Sequence, residues 1–191
     1  MSAAAPAPSP PRVPKERAVP EVYRSSFQYV WHLLRRLGVE ERHLEDGAHE
    51  VFLVVYRRWD SYDPGRPLRP WLAGIAVRVA SDLRRRASHR REQVEGDVER
   101  LQRPPSGPPA AERVVEAREA RALVSAALAA LRPERREVFV LHEIEGHSIP
   151  DLVEPLGVPL NTLYSRLRLA RADFATAVRQ LSPGAARRGS P

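Results

Sequence analysis

The feature that most constrains this chain is a break in its pattern. Apolar residues recur at helical spacing from Tyr23 to Leu83 and again from Val114 to Val178. Between them lies Pro104-Pro105-Ser106-Gly107-Pro108-Pro109, which has no apolar face. Such a stretch cannot bury a side of itself, and it reads as a semi-rigid, partly polyproline-like linker. No segment shows the strict alternation of a strand. The pattern predicts an all-α protein of two small helical domains, a helical bundle and a helix-turn-helix, joined by a flexible Pro-rich linker. The expected divisions are a disordered arm (1–20), a first domain (21–91), the linker (92–111), a second domain (112–181) and a disordered tail (182–191).

Each domain is built from stripes at three- and four-residue steps. Tyr23, Phe27, Val30, Leu34 and Leu37 predict a helix over 21–37, closed by Gly38. Leu44, Ala48, Val51, Phe52 and Val55 predict a second over 43–58. Pro64, Gly65 and Pro67 break the pattern over 60–69, and Leu72, Ile75, Ala76, Val79 and Leu83 restore it over 70–88. Past the linker, Val114, Ala117, Ala120, Val124, Ala127, Leu128 and Leu131 outline a helix over 111–131. Val138, Leu141 and Ile144 outline one over 133–144. A short helix over 149–156 and a longer one over 160–180 complete the set.

Composition narrows the function classes. A chain of 191 residues with 42% hydrophobic residues has room for two real cores. The net charge of +7 suggests a polyanionic partner, either nucleic acid or an anionic membrane surface. With no cysteine, disulfides, thiol nucleophiles and thiolate zinc sites are excluded. No run approaches the ~18 apolar residues of a spanning helix, so no membrane insertion is expected. The first twenty residues lack the charged start and apolar stretch of a signal peptide, which predicts a soluble, cytoplasmic protein.

Two segments carry chemistry. In the first, Trp59, Tyr62 and Trp71 bracket the Asp63-Pro64-Gly65-Arg66 loop, and Arg66, Arg69, Arg78, Arg84, Arg85 and Arg86 surround it with charge. Aromatic faces beside arginines offer stacking for nucleobases and neutralisation for phosphates. The bland alternative is a core helix with a solvated basic end. In the second, Ser148 can cap a short helix with Pro150 and Asp151 in its first turn, and Gly157 supplies a turn. The following helix buries Leu163, Leu167, Ala170, Phe174 and Val178, and leaves Asn161, Thr162, Tyr164, Ser165, Arg166 and Arg168 outside. That is the layout of a major-groove reader, in which Arg reads guanine and Asn adenine. A two-helix packing element without DNA is the alternative. Pro155 inside the short helix predicts an early or kinked end and a weaker or unusual DNA contact.

His142 and His147 flank two glutamates in a way that mimics a zinc-protease helix. They stand five residues apart instead of four, and Gly146 interrupts the helix, so no metal site is expected. His49 reads as a surface or interface residue. No cofactor and no catalytic group are expected.

The residues resemble the extracytoplasmic-function (ECF) sigma factors, a branch of the sigma-70 family of bacterial transcription initiation factors. Three blocks carry the resemblance across most of residues 21–180. The first is Glu45-Asp-Gly-Ala-His-Glu-Val-Phe-Leu53. The second is the tract with Asp63-Pro, Arg66-Pro, Arg69-Pro-Trp-Leu72, Ile75-Ala76 and Asp82 before Arg84–Arg86. The third is Leu131-Arg-Pro-Glu-Arg-Arg-Glu-Val-Phe-Val-Leu141, leading into the helix-turn-helix with Thr162, Ser165, Arg166, Ala170 and Arg171. The resemblance implies a non-enzymatic factor that binds core RNA polymerase and directs it to promoters. Asp46, His49, Glu50 and Phe52 would meet the beta-prime clamp helices, although periodicity equally lets Phe52 fill the core. The aromatic, arginine-rich tract (Trp59, Tyr62, Asp63, Arg66, Arg69, Trp71, Arg78 and Arg84–Arg86) would recognise and melt the −10 element, capturing a base at Tyr62–Arg66. Asn161, Thr162, Tyr164, Ser165, Arg166, Arg168 and Arg171 would read the −35 element. The resemblance further implies promoter DNA, the beta flap and an anti-sigma factor as partners.

The chain departs from the family at His49, where Gln is usual, at Gly47-Ala48, at Arg78, where Asn is common, at Val153 and at Pro155. A helix-turn-helix regulator that never joins polymerase is the competing expectation, and a protein-docking module with basic helices is a third. Residues 45–86 separate these readings, because a simple regulator needs no melting tract.

Overall fold

The computed structural model describes residues 14–93 and 112–182. Seven α-helices carry the described chain: α1 (Lys15–Arg36), α2 (Leu44–Arg58), α3 (Leu68–Gln93), α4 (Glu112–Ala129), α5 (Pro133–Phe139), α6 (Ile149–Leu156) and α7 (Leu160–Leu181). Short 3-10 turns precede and follow α2, and a π turn extends α5 over Val140–Ile144. There is no strand among the described residues. Residues 94–111 of the expected linker, residues 1–13 of the arm, and the tail from 183 onward lie outside them, while residues 92 and 93 belong to α3.

The first unit is a three-helix arrangement in which α1, α2 and α3 each pack against the other two. Val30, Leu33, Leu34, Leu44, Val51, Val55 and Leu72 are fully buried at its centre. Gly38 ends α1 with φ +88°, a left-handed turn that reverses the chain without a Cβ penalty. The helix begins earlier than the expected arm allows. Residues 15–20 are helical, and Pro20 sits inside α1. Pro20 removes one backbone bond, but Ala18, Val19 and Val22 bury an apolar face that outweighs it.

The second unit packs α5 and α6 against α7 around Val138, Leu141, Leu152, Leu163 and Leu167. Helix α4 engages α7 through its last turns, where Ala127 and Leu128 are buried. Ala120 and Val124, expected inside, are exposed. Ala120 lines an open cleft with Leu123 and Leu181 at the end of α7, and the side chains of Val114 and Ala117 lie outside the described set. Helix α6 does not end early at Pro155. It runs to Leu156 and closes on Gly157 at φ +67°, whose N–H bonds to the Val153 carbonyl at 2.9 Å. Pro155 falls in the last turn, so the single lost bond leaves the helix standing. Ser148 caps α6 as expected, accepting from the Asp151 N–H at 3.3 Å.

The two units are in contact, which a tether alone does not predict. Helix α6 lies across α3, and one apolar core runs through both units. From Leu72 to Ala80 every α3 residue except Arg78 is buried. Burial on all sides is the condition of a helix with neighbours on every face.

Candidate nucleic-acid interface

The loop between α2 and α3 is held by its own polar groups. The Tyr62 hydroxyl donates to the Arg66 carbonyl at 2.7 Å, and the Asp63 carboxylate accepts the Gly65 N–H at 2.9 Å. Trp59, Tyr62 and Trp71 form a closed triangle, with ring centroids 5.4, 6.2 and 5.0 Å apart. These separations suit tilted and edge-to-face aromatic contact. All three rings are half-buried, so each keeps an open edge or face. Burial, reinforced by the Asp63 charge, pushes the Tyr62 hydroxyl up from its ordinary range, so it stays a neutral donor.

The arginines of this segment do different work. Arg69 stacks over the Tyr29 ring at 5.2 Å, Arg85 pairs with Asp82 at 2.5 Å, and Arg86 with Glu50 at 3.6 Å. Arg66 pairs with Asp63 at 3.6 Å and with Glu154 of α6. Arg78 donates to the Pro155 carbonyl at 3.0 Å. Arg84 is largely buried: it bonds to the Leu37 carbonyl at 2.5 Å and to Glu137 of α5 at 2.9 Å. It is therefore not displayed as a free phosphate contact; it ties the two units together.

On α2, Asp46 and His49 are exposed and Glu50 half-exposed on one face. His49 bonds to the Tyr23 hydroxyl at 3.0 Å and stacks on its ring. Phe52 is 5% exposed and packs edge-on against Tyr23, which decides its two readings for the core. The apolar residue actually displayed by this helix is Leu53, 57% exposed, with Tyr56 beside it. Sequence reasoning missed Leu53. Its signal was a large aliphatic residue on the side of α2 opposite Val51 and Val55.

The first turns of α7 present Asn161, Thr162, Tyr164, Ser165 and Arg168 to solvent. Among the described residues none of these side chains has a hydrogen-bond or ionic partner, and no side chain caps the first N–H groups of α7. Arg171 is engaged instead by Glu143 at 2.6 Å. Arg166, expected outside, is half-buried, and its charge helps hold Glu137 down against the effect of burial. The two histidines of the protease-like segment are held by protein partners. His142 bonds to the His147 carbonyl at 2.8 Å, His147 to the Tyr29 hydroxyl at 3.0 Å, and no metal-binding cluster occurs among the described residues.

An aromatic loop on one helical unit and a helix-turn-helix on the other define a two-part nucleic-acid-binding protein. Residues 22–90 match sigma-70 region 2, and residues 121–174 match sigma-70 region 4. Over 155 residues the chain is 34% identical to the ECF RNA polymerase sigma factor SigE of Mycolicibacterium smegmatis, covering 81% of this chain and 59% of that protein. Over 145 residues it is 32% identical to the RNA polymerase sigma factor CnrH of Cupriavidus metallidurans, covering 74% of this chain and 76% of that one. The solved structure of CnrH in complex with the cytosolic domain of CnrY superposes with a TM-score of 0.62 at 25% identity, covering 86% of this chain and 90% of CnrH. The sigma factor RpoE of Bartonella quintana, solved with the anti-sigma factor NepR, shares the fold at a TM-score of 0.65 and 18% identity, over 84% and 96% of the two chains. The chain belongs to the ECF branch of the sigma-70 family, the RNA polymerase factors that confer promoter specificity.

Proposed function

We propose that this chain binds core RNA polymerase in the cytoplasm, without catalysing a reaction, and that its two units take separate promoter elements. The face of α2 bearing Asp46, His49, Glu50 and Leu53 docks on the beta-prime clamp helices, with the carboxylates steering and Leu53 as the apolar anchor. Phe52 supports that face from below. The Trp59–Tyr62–Trp71 triangle and the 62–66 loop take a flipped base of the −10 element. Stacking there is worth about 1–3 kcal/mol per base, comparable to the cost of unstacking one. The first turn of α7 enters the −35 major groove, where Asn161 and Arg168 meet base edges and Thr162 and Ser165 meet edges or phosphates. The second unit also meets the beta flap. An anti-sigma factor, the kind of partner with which RpoE was solved, completes the partner set.

The observation that carries this reading is the pairing of the aromatic loop with an unpartnered α7 N-terminus in one chain. A regulator that only reads duplex DNA has no use for the first. The test is capture on core polymerase followed by run-off transcription from a promoter enriched by the reconstituted holoenzyme. Tyr62→Ala is expected to leave core binding intact and to slow open-complex formation by roughly tenfold, the equivalent of one stacked base. Failure to associate with core refutes the reading, and normal melting by Tyr62→Ala removes that ring from the base site.

A further inference from the structure

We propose that the first turns of α7 recognise thymine by its methyl group, through an apolar step formed by Leu160 and Tyr164 within the groove-reading face. This readout rests on the assignment of α7 to the −35 duplex and names a base inside it. Leu160 is 40% and Tyr164 50% exposed, and no other large apolar residue of α7 before Leu181 is left so open. They stand four residues apart, so their side chains are neighbours, with Cβ atoms about 5–6 Å from each other. Leu163, Leu167 and Ala170 carry the buried side of the helix, and the exposed pair adds nothing to that core. A single exposed leucine is ordinary. Two large apolar groups side by side on the working face of a helix form a patch that gains by shedding water on contact.

The neighbours of the pair indicate what it meets. Asn161 follows Leu160, Ser165 follows Tyr164, and Arg168 lies four residues past Tyr164; all three are exposed. Steps of one, four, five and eight residues from Leu160 put the five side chains on one side of the helix. The apolar pair is thus interleaved with the polar readers and enters the groove with them. A major groove offers an apolar group the 5-methyl of thymine, where cytosine carries only hydrogen. The charge on this face points the same way. Arg171 is engaged by Glu143 at 2.6 Å and Arg166 is half-buried, which leaves Arg168 as the exposed guanidinium without an ionic partner over residues 160–171. Arg168 suits one guanine, Asn161 suits adenine, and Leu160 with Tyr164 suits the thymine of that pair or of the adjoining step.

The experiment selects a randomised duplex pool twice, with the full chain alone and with the holoenzyme reconstituted on core polymerase. Each thymine of the enriched upstream site is then exchanged singly for deoxyuridine, which removes the methyl and keeps the pairing and the O4 acceptor. At one thymine or more, the exchange is expected to weaken binding roughly fourfold, the worth of one buried methyl group. Leu160→Ala and Tyr164→Ala, both at exposed positions whose truncation leaves the core intact, should each bring that thymine-to-uracil ratio towards unity. Asn161→Ala should weaken both duplexes alike and keep the ratio at about four. A selected site without thymine, uracil duplexes bound as tightly as their thymine parents, or a ratio that survives both truncations overturns the methyl readout. So does the absence of any enriched duplex in either selection. Failure to associate with core refutes the promoter reading while the selection by the chain alone still tests the methyl. Uracil-insensitive binding by a holoenzyme that transcribes overturns the methyl readout and leaves the promoter reading standing.

Discussion

Replacing Arg84 by alanine tests how the units are held together. Its guanidinium spans from the Leu37 carbonyl, at 2.5 Å, to Glu137, at 2.9 Å, and the two charged side chains are only 19% and 13% exposed. Breaking a pair at that depth strands Glu137, which by itself costs about 3–5 kcal/mol. Two neighbours reduce the loss. Arg166 still lies near Glu137, and Arg136, whose guanidinium is pushed down by burial and then by Arg84, is relieved of a like charge. The net expectation for Arg84→Ala is a loss of about 3 kcal/mol at pH 7, or roughly 6–12 °C in Tm for a chain of this size. The loss depends on pH in a fixed direction. Burial raises the Glu137 carboxyl above its ordinary value even though the bond to Arg84 and its charge lower it. The folded state therefore binds that proton more tightly than the unfolded state, and stability falls as pH rises from ~4.3 through the folded value. Without Arg84 the folded value climbs further, so the defect grows toward neutral pH and shrinks near pH 4. Urea unfolding of the wild type, Arg84→Ala, Glu137→Gln and the double variant at pH 4.5 and 7 completes the cycle. The double variant should regain more than half of the loss. An Arg84→Ala defect below about 1 kcal/mol, no rescue by Glu137→Gln, or a defect independent of pH refutes the reasoning.

Two further outcomes follow from the geometry. His147 is 7% exposed between the units, and burial lowers its basicity; Glu145 and Asp151 oppose that shift and Arg69 adds to it, while its partner Tyr29 is pushed upward by burial. The folded state binds this proton less tightly than the unfolded state, so stability present above ~6.5 is lost as pH falls below it. Energy transfer between dyes attached to the two units should decline from pH 7.5 to 5.5, and His147→Gln should abolish the change; a flat wild-type profile contradicts this. On α7, Arg168→Ala should weaken −35 binding and lower the salt slope by about one, whereas Arg166→Ala should mainly lower stability. Equal salt slopes for the two variants would reject the distinction between an exposed and an inward arginine.

Much of the fold can be read from spacing, because each helix buries a stripe against neighbours within its own unit. Leu72, Ile75, Ala76, Val79 and Leu83 mark α3 as a helix with a core face, and Gly157 and Ser148 mark the limits of α6. The start of α1 is less legible. Six prolines in the first twenty residues suggest disorder, yet Ala18, Val19 and Val22 lie on one face, and a face with a partner tolerates one missing bond. The candidate site divides in the same way. Exposure of Asn161, Tyr164 and Arg168 follows from the stripe opposite them. Burial of Phe52 and Arg84 depends on what packs against those helices, and periodicity within one helix does not contain that information.

The contact between units did leave a trace in the sequence, in the residues that the stripe of α3 does not use. Ala73, Gly74, Val77 and Ala80 are small or apolar on the side of the helix that a two-helix environment would leave wet. A free surface there would carry charge; only Arg78 does, and it is spent on a backbone carbonyl. Arg78 and Pro155 each depart from the family pattern, and taken singly each looks like a weakened DNA contact. In the structure they touch. Proline leaves the end of α6 flush against Gly74, and arginine supplies the donor that its last-turn carbonyl lacks. One pairing accounts for both departures: an Asn at 78, shorter by two methylenes and an N–H, would not span the distance that Arg78 covers to that carbonyl.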